Sequence, residues 1–381
     1  MNLKNNKKFD LIVNIKNNRI WLPKSIQKTI GNQFIEIKIG DICFITKLTK
    51  EGRFFIPKEL RWNILNEPTK IQFSILKNIY RPKKFILNNK IDVLSFIPEK
   101  ILSGFDILAL EEENKIKLWY STKGRPNDIT INRFVPLEFF RLLGYYQAEG
   151  GKVKLRKRRG REINFTNADM GLIEDFLKYW GYLVNLNLCK CTIRYNPQLN
   201  YEKIIEVEDK LISIGIKAEN INDKQAKRIK EYTVRIWITN SLLAEIIDSM
   251  MNEVRKYLIG SKSNKKLIVY FLQGLLAGDG NFYSTRDRKG CLHSYLRVFE
   301  CNGGFVSDYR KLFESLGING KIKKIKNKNL YIFELFVNWA YLLKILKLGL
   351  LEKSPENQKR LENAIKQHRG YKFGWLTKSK S

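Results

Sequence analysis

Two stretches of this chain place an acid where an ordinary core helix would not carry one. Leu142, Gly144, Ala148, Glu149 and Gly150 recur further along as Leu272, Gly274, Gly278, Asp279 and Gly280, and both copies read Leu-x-Gly-x-x-x-small-acid-Gly. Residues four apart share a helix face, so Gly144/Ala148 and Gly274/Gly278 each leave a flat strip on which another helix approaches backbone to backbone. Each helix then ends on a carboxylate, Glu149 or Asp279, where the macrodipole disfavours negative charge. A bound cation would offset that cost. Two such helices side by side would bring the acids together as a site for Mg2+ or another hard divalent ion.

The elements that must position these acids also repeat. After the second motif the pattern predicts strands at 282–285 and 295–300 around a turn at Asp287 and Gly290, then a helix over 305–316. A hairpin of 321–326 and 330–337 and a closing helix over 339–348 complete an α-β-β-α-β-β-α order. After the first motif come a basic run (152–161), a strand over 163–167 and a helix over 169–180 with Leu172, Ile173, Phe176 and Leu177 at helical spacing. An insertion near 201–214 stretches this half, which ends with a strand over 232–238 and a helix over 241–257. Lys152, Lys154, Arg156 and Arg158 alternate, so a strand there would present all four on one face with Val153 and Leu155 on the other. Arg286, Arg288, Lys289, Arg297, Lys321 and Lys323 are the outward-facing set expected in the second half.

Composition points the same way. The 381 residues hold 70 Lys and Arg against 38 Asp and Glu, a net charge of +32, with 44% hydrophobic side chains. A folded, strongly basic chain of this kind calls for a polyanionic partner, nucleic acid first. Only His293 and His368 are present, which excludes His-rich zinc chemistry, and the five cysteines are irregularly spaced. No apolar run reaches membrane-span length and the N-terminal residues do not read as a secretory signal, so no membrane partner and a cytoplasmic location are expected.

Near the N-terminus a second repeat runs Arg19-Ile20-Trp21-Leu22-Pro23-Lys24 and Arg53-Phe54-Phe55-Ile56-Pro57-Lys58. Each copy reads as basic turn, short strand, Pro and helix start, with strand-like residues at 34–39 and 42–46 between them. Such small units cannot bury a core alone, so the copies are expected to pack on each other. This part, residues 8–82, resembles the AbrB-type swapped-hairpin DNA-binding domain. That resemblance implies DNA contacts from Arg53, Lys58 and Arg61, with Arg19 and Lys24 in the less complete first copy. Residues 83–132 read as a β-rich connector, with 121–128 as the best linker candidate.

Taken with its duplicated motif and strand–helix order, the larger part resembles a LAGLIDADG homing endonuclease of the single-chain, two-motif kind. The resemblance implies an α+β fold: a pseudo-twofold pair of αββαββα halves (133–262 and 263–365) forming a β-saddle, preceded by the small mostly-β domain. It further implies a metal-dependent cut of double-stranded DNA, with Mg2+ or Mn2+ at Glu149, Asp279, Gly150 and Gly280. Asn167 and Asn302 would lie near the attacking water, and Lys262 and Lys353 would stabilise developing charge. The helix interface would be formed by Gly144, Ala148, Gly274 and Gly278, and the catalytic part would be monomeric. The first motif has Glu where Asp is more usual, and Gln147 and Ala277 replace the earlier acid of the family name. Two other functions fit the same basic saddle: a DNA-binding transcriptional regulator, and a maturase that binds intron RNA.

Overall fold

A computed structural model describes residues 8–16, 19–31, 33–48, 52–56, 68–76, 85–99, 107–122, 125–152, 161–198, 201–260, 264–325 and 330–378. The chain is α+β and divides into two compact units, Met1–Val135 with Ser241–Ile247, and Pro136–Asn240 with Asp248–Ser381.

The first unit begins with β1 (Lys8–Lys16), β2 (Arg19–Trp21), α1 (Lys24–Ile30), β3 (Phe34–Ile39), β4 (Ile42–Lys47), β5 (Arg53–Phe55) and β6 (Pro68–Ile75). The strands form one sheet ordered β4-β3-β6-β1-β2-β5. The two repeat copies pair with each other: Arg19 lies opposite Phe55, Ile20 opposite Phe54 and Trp21 opposite Arg53. Ile20 and Phe54 are fully buried among Ile35, Ile37, Ile71 and Phe73, so each copy supplies half of a core that neither closes alone. Pro23 ends β2 and starts α1, where its missing N–H is no loss.

Next come β7 (Ile86–Leu87), β8 (Lys90–Asp92), β9 (Ile107–Glu112), β10 (Lys115–Thr122), β11 (Arg125–Asn132) and β12 (Phe134–Pro136). The stretch 121–128, expected as a linker, is instead taken up largely by strand. β10 and β11 pair along their full length, from Lys115 opposite Asn132 to Thr122 opposite Arg125. Buried Ile116, Leu118, Ile129 and Ile131 drive that pairing despite the polar tip. Arg133 ties the sheets together, bonding fully buried Asp92 (Nη2–Oδ2 2.9 Å) and Glu111 (2.5 Å).

The second unit contains two halves of the same design. The first runs α2 (Phe139–Glu149), β13 (Gly150–Lys152), β14 (Glu162–Asn167), α3 (Met170–Trp180), β15 (Lys190–Tyr195), α4 (Tyr201–Ile214), β16 (Ile221–Gln225), β17 (Tyr232–Thr239) and α5 (Ser241–Gly260), whose residues Ser241–Ile247 belong to the first unit. The second runs α6 (Lys265–Asp279), β18 (Gly280–Arg286), β19 (Leu292–Glu300), α7 (Gly303–Ser315), β20 (Lys321–Lys324), β21 (Tyr331–Val337), α8 (Trp339–Lys347) and α9 (Pro355–Lys378). The sheets are ordered β13-β14-β17-β15-β16 and β18-β19-β21-β20, the same topology apart from β16. The insertion α4–β16 adds that strand parallel to β15, at the sheet's edge. In each half Gly150 or Gly280 pairs with Phe165 or Val298, which fixes the equivalence of the two halves residue by residue. Aromatic packing fills the interior under both sheets, with Phe165 stacked on Phe176 and Phe313 on Phe333. No helix among the described residues is long and apolar enough to cross a membrane.

Candidate active site

The small residues of the two motifs do what their spacing predicts. A Cβ on Gly144 would lie 2.1 Å from the Phe271 carbonyl oxygen and 2.7 Å from the Leu275 nitrogen. A Cβ on Gly274 would lie 2.1 Å from the Arg141 carbonyl and 2.8 Å from the Tyr145 nitrogen. These contacts are reciprocal, three residues back and one forward in each case, so α2 and α6 cross on a local twofold axis with their backbones touching. Further down, a Cβ on Gly278 would meet the Ala148 Cβ at 2.5 Å and the Glu149 Cγ at 3.1 Å. Both helices then stop at the acid and turn directly into a strand. A side chain at Gly150 or Gly280 would strike the Tyr146 or Leu276 carbonyl at 2.2 or 2.3 Å, so glycine is required there.

Glu149 and Asp279 are thereby held together, half-buried, at the C-terminal ends of two helices. Burial raises the Glu149 carboxyl. Burial first, then the charges of Glu149 and Glu300, push Asp279 up to about 7. Among the described residues no Lys or Arg is ion-paired to either acid, nor does any group of three or more His, Cys, Asp and Glu converge to hold a metal. The donor set is two carboxylates. Hard oxygen donors in that number suit Mg2+ or Mn2+, which keep several positions for water and phosphate oxygens.

Asn167 stands beside the pair. Its Nδ2 donates to Glu149 Oε1 at 3.4 Å, and its Oδ1 accepts from the Asp169 backbone N–H at 2.8 Å. Asn302 is not its counterpart. Asn302 caps α7, its Oδ1 accepting from the Gly304 N–H (3.0 Å), as Asp169 caps α3 through Gly171 (2.8 Å). Counting from the paired glycines, the residue equivalent to Asn167 is Glu300. Glu300 accepts from the Asn302 N–H (3.1 Å), Gln147 Nε2 (3.1 Å) and the Tyr309 hydroxyl (2.8 Å). Lys353 also departs from expectation: its Nζ is on Asp175 Oδ2 at 2.7 Å, where Tyr145 donates as well (3.1 Å), so the structure gives it to α3 rather than to the acids.

The remaining expected residues are distributed as follows. Arg297 bonds Glu334 (2.6 Å) and lies over the Tyr283 ring, and Lys323 is on the same Glu334. Lys321, Arg286, Arg288 and Lys289 are exposed on or beside the second sheet, and Arg286 also donates to the Gly290 carbonyl (2.9 Å). Lys152 lies opposite Ile163 in β13, and Arg53 is over the Trp21 ring. Lys154, Arg156, Arg158, Lys262, Lys58 and Arg61 fall outside the described residues.

Three features escaped the sequence reading. Arg141 joins the halves: Nε donates to buried Gln273 (2.6 Å), Nη1 to the Tyr179 hydroxyl (2.7 Å) and Nη2 to Glu352 (2.8 Å). Asn357 of α9, also buried, grips the strand after Asp279, donating to the Gly280 carbonyl (2.9 Å) and accepting from the Phe282 N–H (3.0 Å). Glu300 is the third, and aligning the two helix caps, Asp169 and Asn302, would have exposed it.

Residues 266–363 match the family model described as a LAGLIDADG-like domain, so the chain carries such a domain in its second half. Over 383 aligned residues it is 21% identical to the uncharacterized protein MJ1054 of Methanocaldococcus jannaschii. That alignment takes in 92% of this chain and 38% of the relative's own length. Among solved structures, I-DmoI in complex with DNA and Mn is 15% identical, with a TM-score of 0.36 over 56% of this chain and 96% of that one. The meganuclease I-SmaMI bound to uncleaveable DNA is 13% identical, with a TM-score of 0.37 over 61% and 90%.

Proposed function

We propose that the chain is a divalent-metal-dependent, site-specific endonuclease of double-stranded DNA, cutting one strand with each half. The observation that carries this reading is the pairing of Glu149 with Asp279 where α2 and α6 touch. A fold that forces two half-buried carboxylates together at two helix C-termini, with neither neutralised by a basic side chain among the described residues, is costly unless a cation and a phosphate meet there. Glu149 and Asp279, beside Gly150 and Gly280, would hold Mg2+ or Mn2+, which when bound polarises phosphoryl oxygens and lowers the pKa of water. Asn167 keeps the Glu149 carboxylate oriented, and the glycine contact fixes the spacing of the two acids.

The sheet faces support a duplex partner. On β14, β15 and β17, buried Ile163, Phe165, Cys191, Ile193, Val234 and Ile236 alternate with outward Thr166, Thr192, Arg194, Arg235 and Trp237. Hydrogen-bonding side chains on a curved antiparallel ribbon match the depth and donor–acceptor pattern of a major groove. The +32 charge supplies the non-specific attraction. By the same argument we assign the N-terminal repeat to auxiliary DNA contact.

The test is selection from a randomised duplex library with the wild type and the Glu149→Gln/Asp279→Asn variant, in Mg2+ and in EDTA. Mg2+-dependent double-strand breaks at one recurring sequence, lost in the variant while binding persists, are the expected result. Enrichment of a bound sequence that neither protein cuts would move the assignment to a DNA-binding regulator. Absence of both would direct attention to RNA.

A further inference from the structure

We infer that the second half reads thymine through its C5-methyl groups, using a row of aromatic side chains on the outer face of its sheet; this rests on the duplex-DNA reading above. Along β19, buried Ser294, Leu296 and Val298 alternate with outward His293, Tyr295, Arg297 and Phe299. The strand register places Tyr283, Tyr295 and Phe336 side by side across β18, β19 and β21. Tyr283 stacks on Tyr295 (5.2 Å between centroids), Tyr295 meets Phe336 edge-on (5.7 Å) and His293 adjoins Phe336 (5.8 Å). Phe336 is 50% exposed, and Tyr283, under the Arg297 guanidinium, and Tyr295 are partly exposed. The next row along the strands is wholly polar: Asn281, Arg297, Glu334 and Lys321.

The first half lacks this row. The residues equivalent to Tyr295 and Phe336 are Glu162 and Thr239, which lie opposite each other in the first sheet. The aromatic strip is therefore a property of one half and not of the shared scaffold. An exposed aromatic strip needs an apolar occupant, and Arg286, Arg288, Lys321 and Lys323 around it require that occupant to be polyanionic. Among the bases only thymine offers an apolar group in the major groove, and a Phe–methyl contact is a standard way to read it. Alternate residues on a strand are ~6.8 Å apart, close to two base steps, so the aromatic and polar rows address different base pairs of one groove.

The experiment uses the duplex recovered by the library selection, resynthesised with deoxyuridine for thymidine in one half of the site or the other, and measures affinity in EDTA. Loss of each contacted methyl group is expected to weaken wild-type binding about fourfold, the equivalent of one buried methylene. The loss should be confined to one half of the site. In Tyr295→Ala/Phe336→Ala, thymine and uracil duplexes should bind alike. Wild-type protein that binds the selected site equally with thymine or uracil in both halves overturns the inference and leaves the endonuclease reading intact. If no duplex is bound, both fall.

Discussion

Replacing Asp279 by Asn should stabilise the metal-free protein, and by an amount that grows with pH. In the fold, burial and the charges of Glu149 and Glu300 push this carboxyl up to about 7, from an ordinary value of 3.8. Below about pH 4 folded and unfolded chains are both protonated and the group has no effect on stability. Between about pH 4 and 7 the unfolded chain releases the proton and the folded chain retains it, so stability falls as pH rises; above about pH 7 the penalty is constant. Three units at ~1.4 kcal/mol each set the full penalty at roughly 4 kcal/mol, of which about 3 kcal/mol develops between pH 5 and pH 8. Asn cannot ionise and escapes it. Thermal unfolding of wild type and Asp279→Asn in EDTA should therefore show a gap that widens by roughly 5–10 °C from pH 5 to pH 8. Saturating Mg2+ should close the gap by stabilising the wild type alone. Parallel pH profiles for the two proteins would refute the argument, because they would mean that the acids do not share a buried site.

Three further outcomes follow. Gly274→Ala, despite a helix-propensity gain of about 1 kcal/mol, should cost about 2 kcal/mol or more net, because the new methyl meets backbone that cannot move aside; chemical denaturation and loss of cleavage check this. Asn302→Ala should cost about 1 kcal/mol as a lost helix cap with cleavage retained, whereas Asn167→Ala should slow cleavage, a contrast read from denaturation and kinetics on both variants. Asp92→Ala should destabilise the first unit by about 2–3 kcal/mol, since it leaves a buried void and Glu111 as the remaining acid bonded to the partly exposed Arg133; limited proteolysis at residues 8–135 would register it.

The parts of this architecture legible in the sequence are those that local chemistry dictates. Gly144, Ala148, Gly274 and Gly278 announce a close helix crossing because nothing else needs small residues four apart beside a terminal acid. Asp169 and Leu172 mark α3 by cap and period. What was not legible depends on register. Asn302 and Asn167 both come at or just after the end of the second strand of their halves, yet two residues separate their structural positions, and only strand pairing shows that Glu300 is the true equivalent of Asn167. β16 is built from Asn222, Asp223, Lys224 and Gln225, residues with little strand preference, and exists because β15 offers an unpaired edge. Lys353 was expected near the acids from its place after the last helix of its half, but an ion pair with Asp175 takes it elsewhere.

Arg141 has a consequence for the chain's history. At the twofold crossing its equivalent in α6 is Phe271, and its partner Gln273 is equivalent to Leu143, both apolar and buried. Two copies of the first half joined as a homodimer would set two guanidinium groups at the axis with no Gln273 to receive them. Two copies of the second would leave Gln273 without the guanidinium it accepts from. The halves have become obligate complements: neither can be duplicated back into a symmetric pair without rebuilding its seam, and a graft that transplants one half must carry Arg141, Gln273, Tyr179 and Glu352 across together.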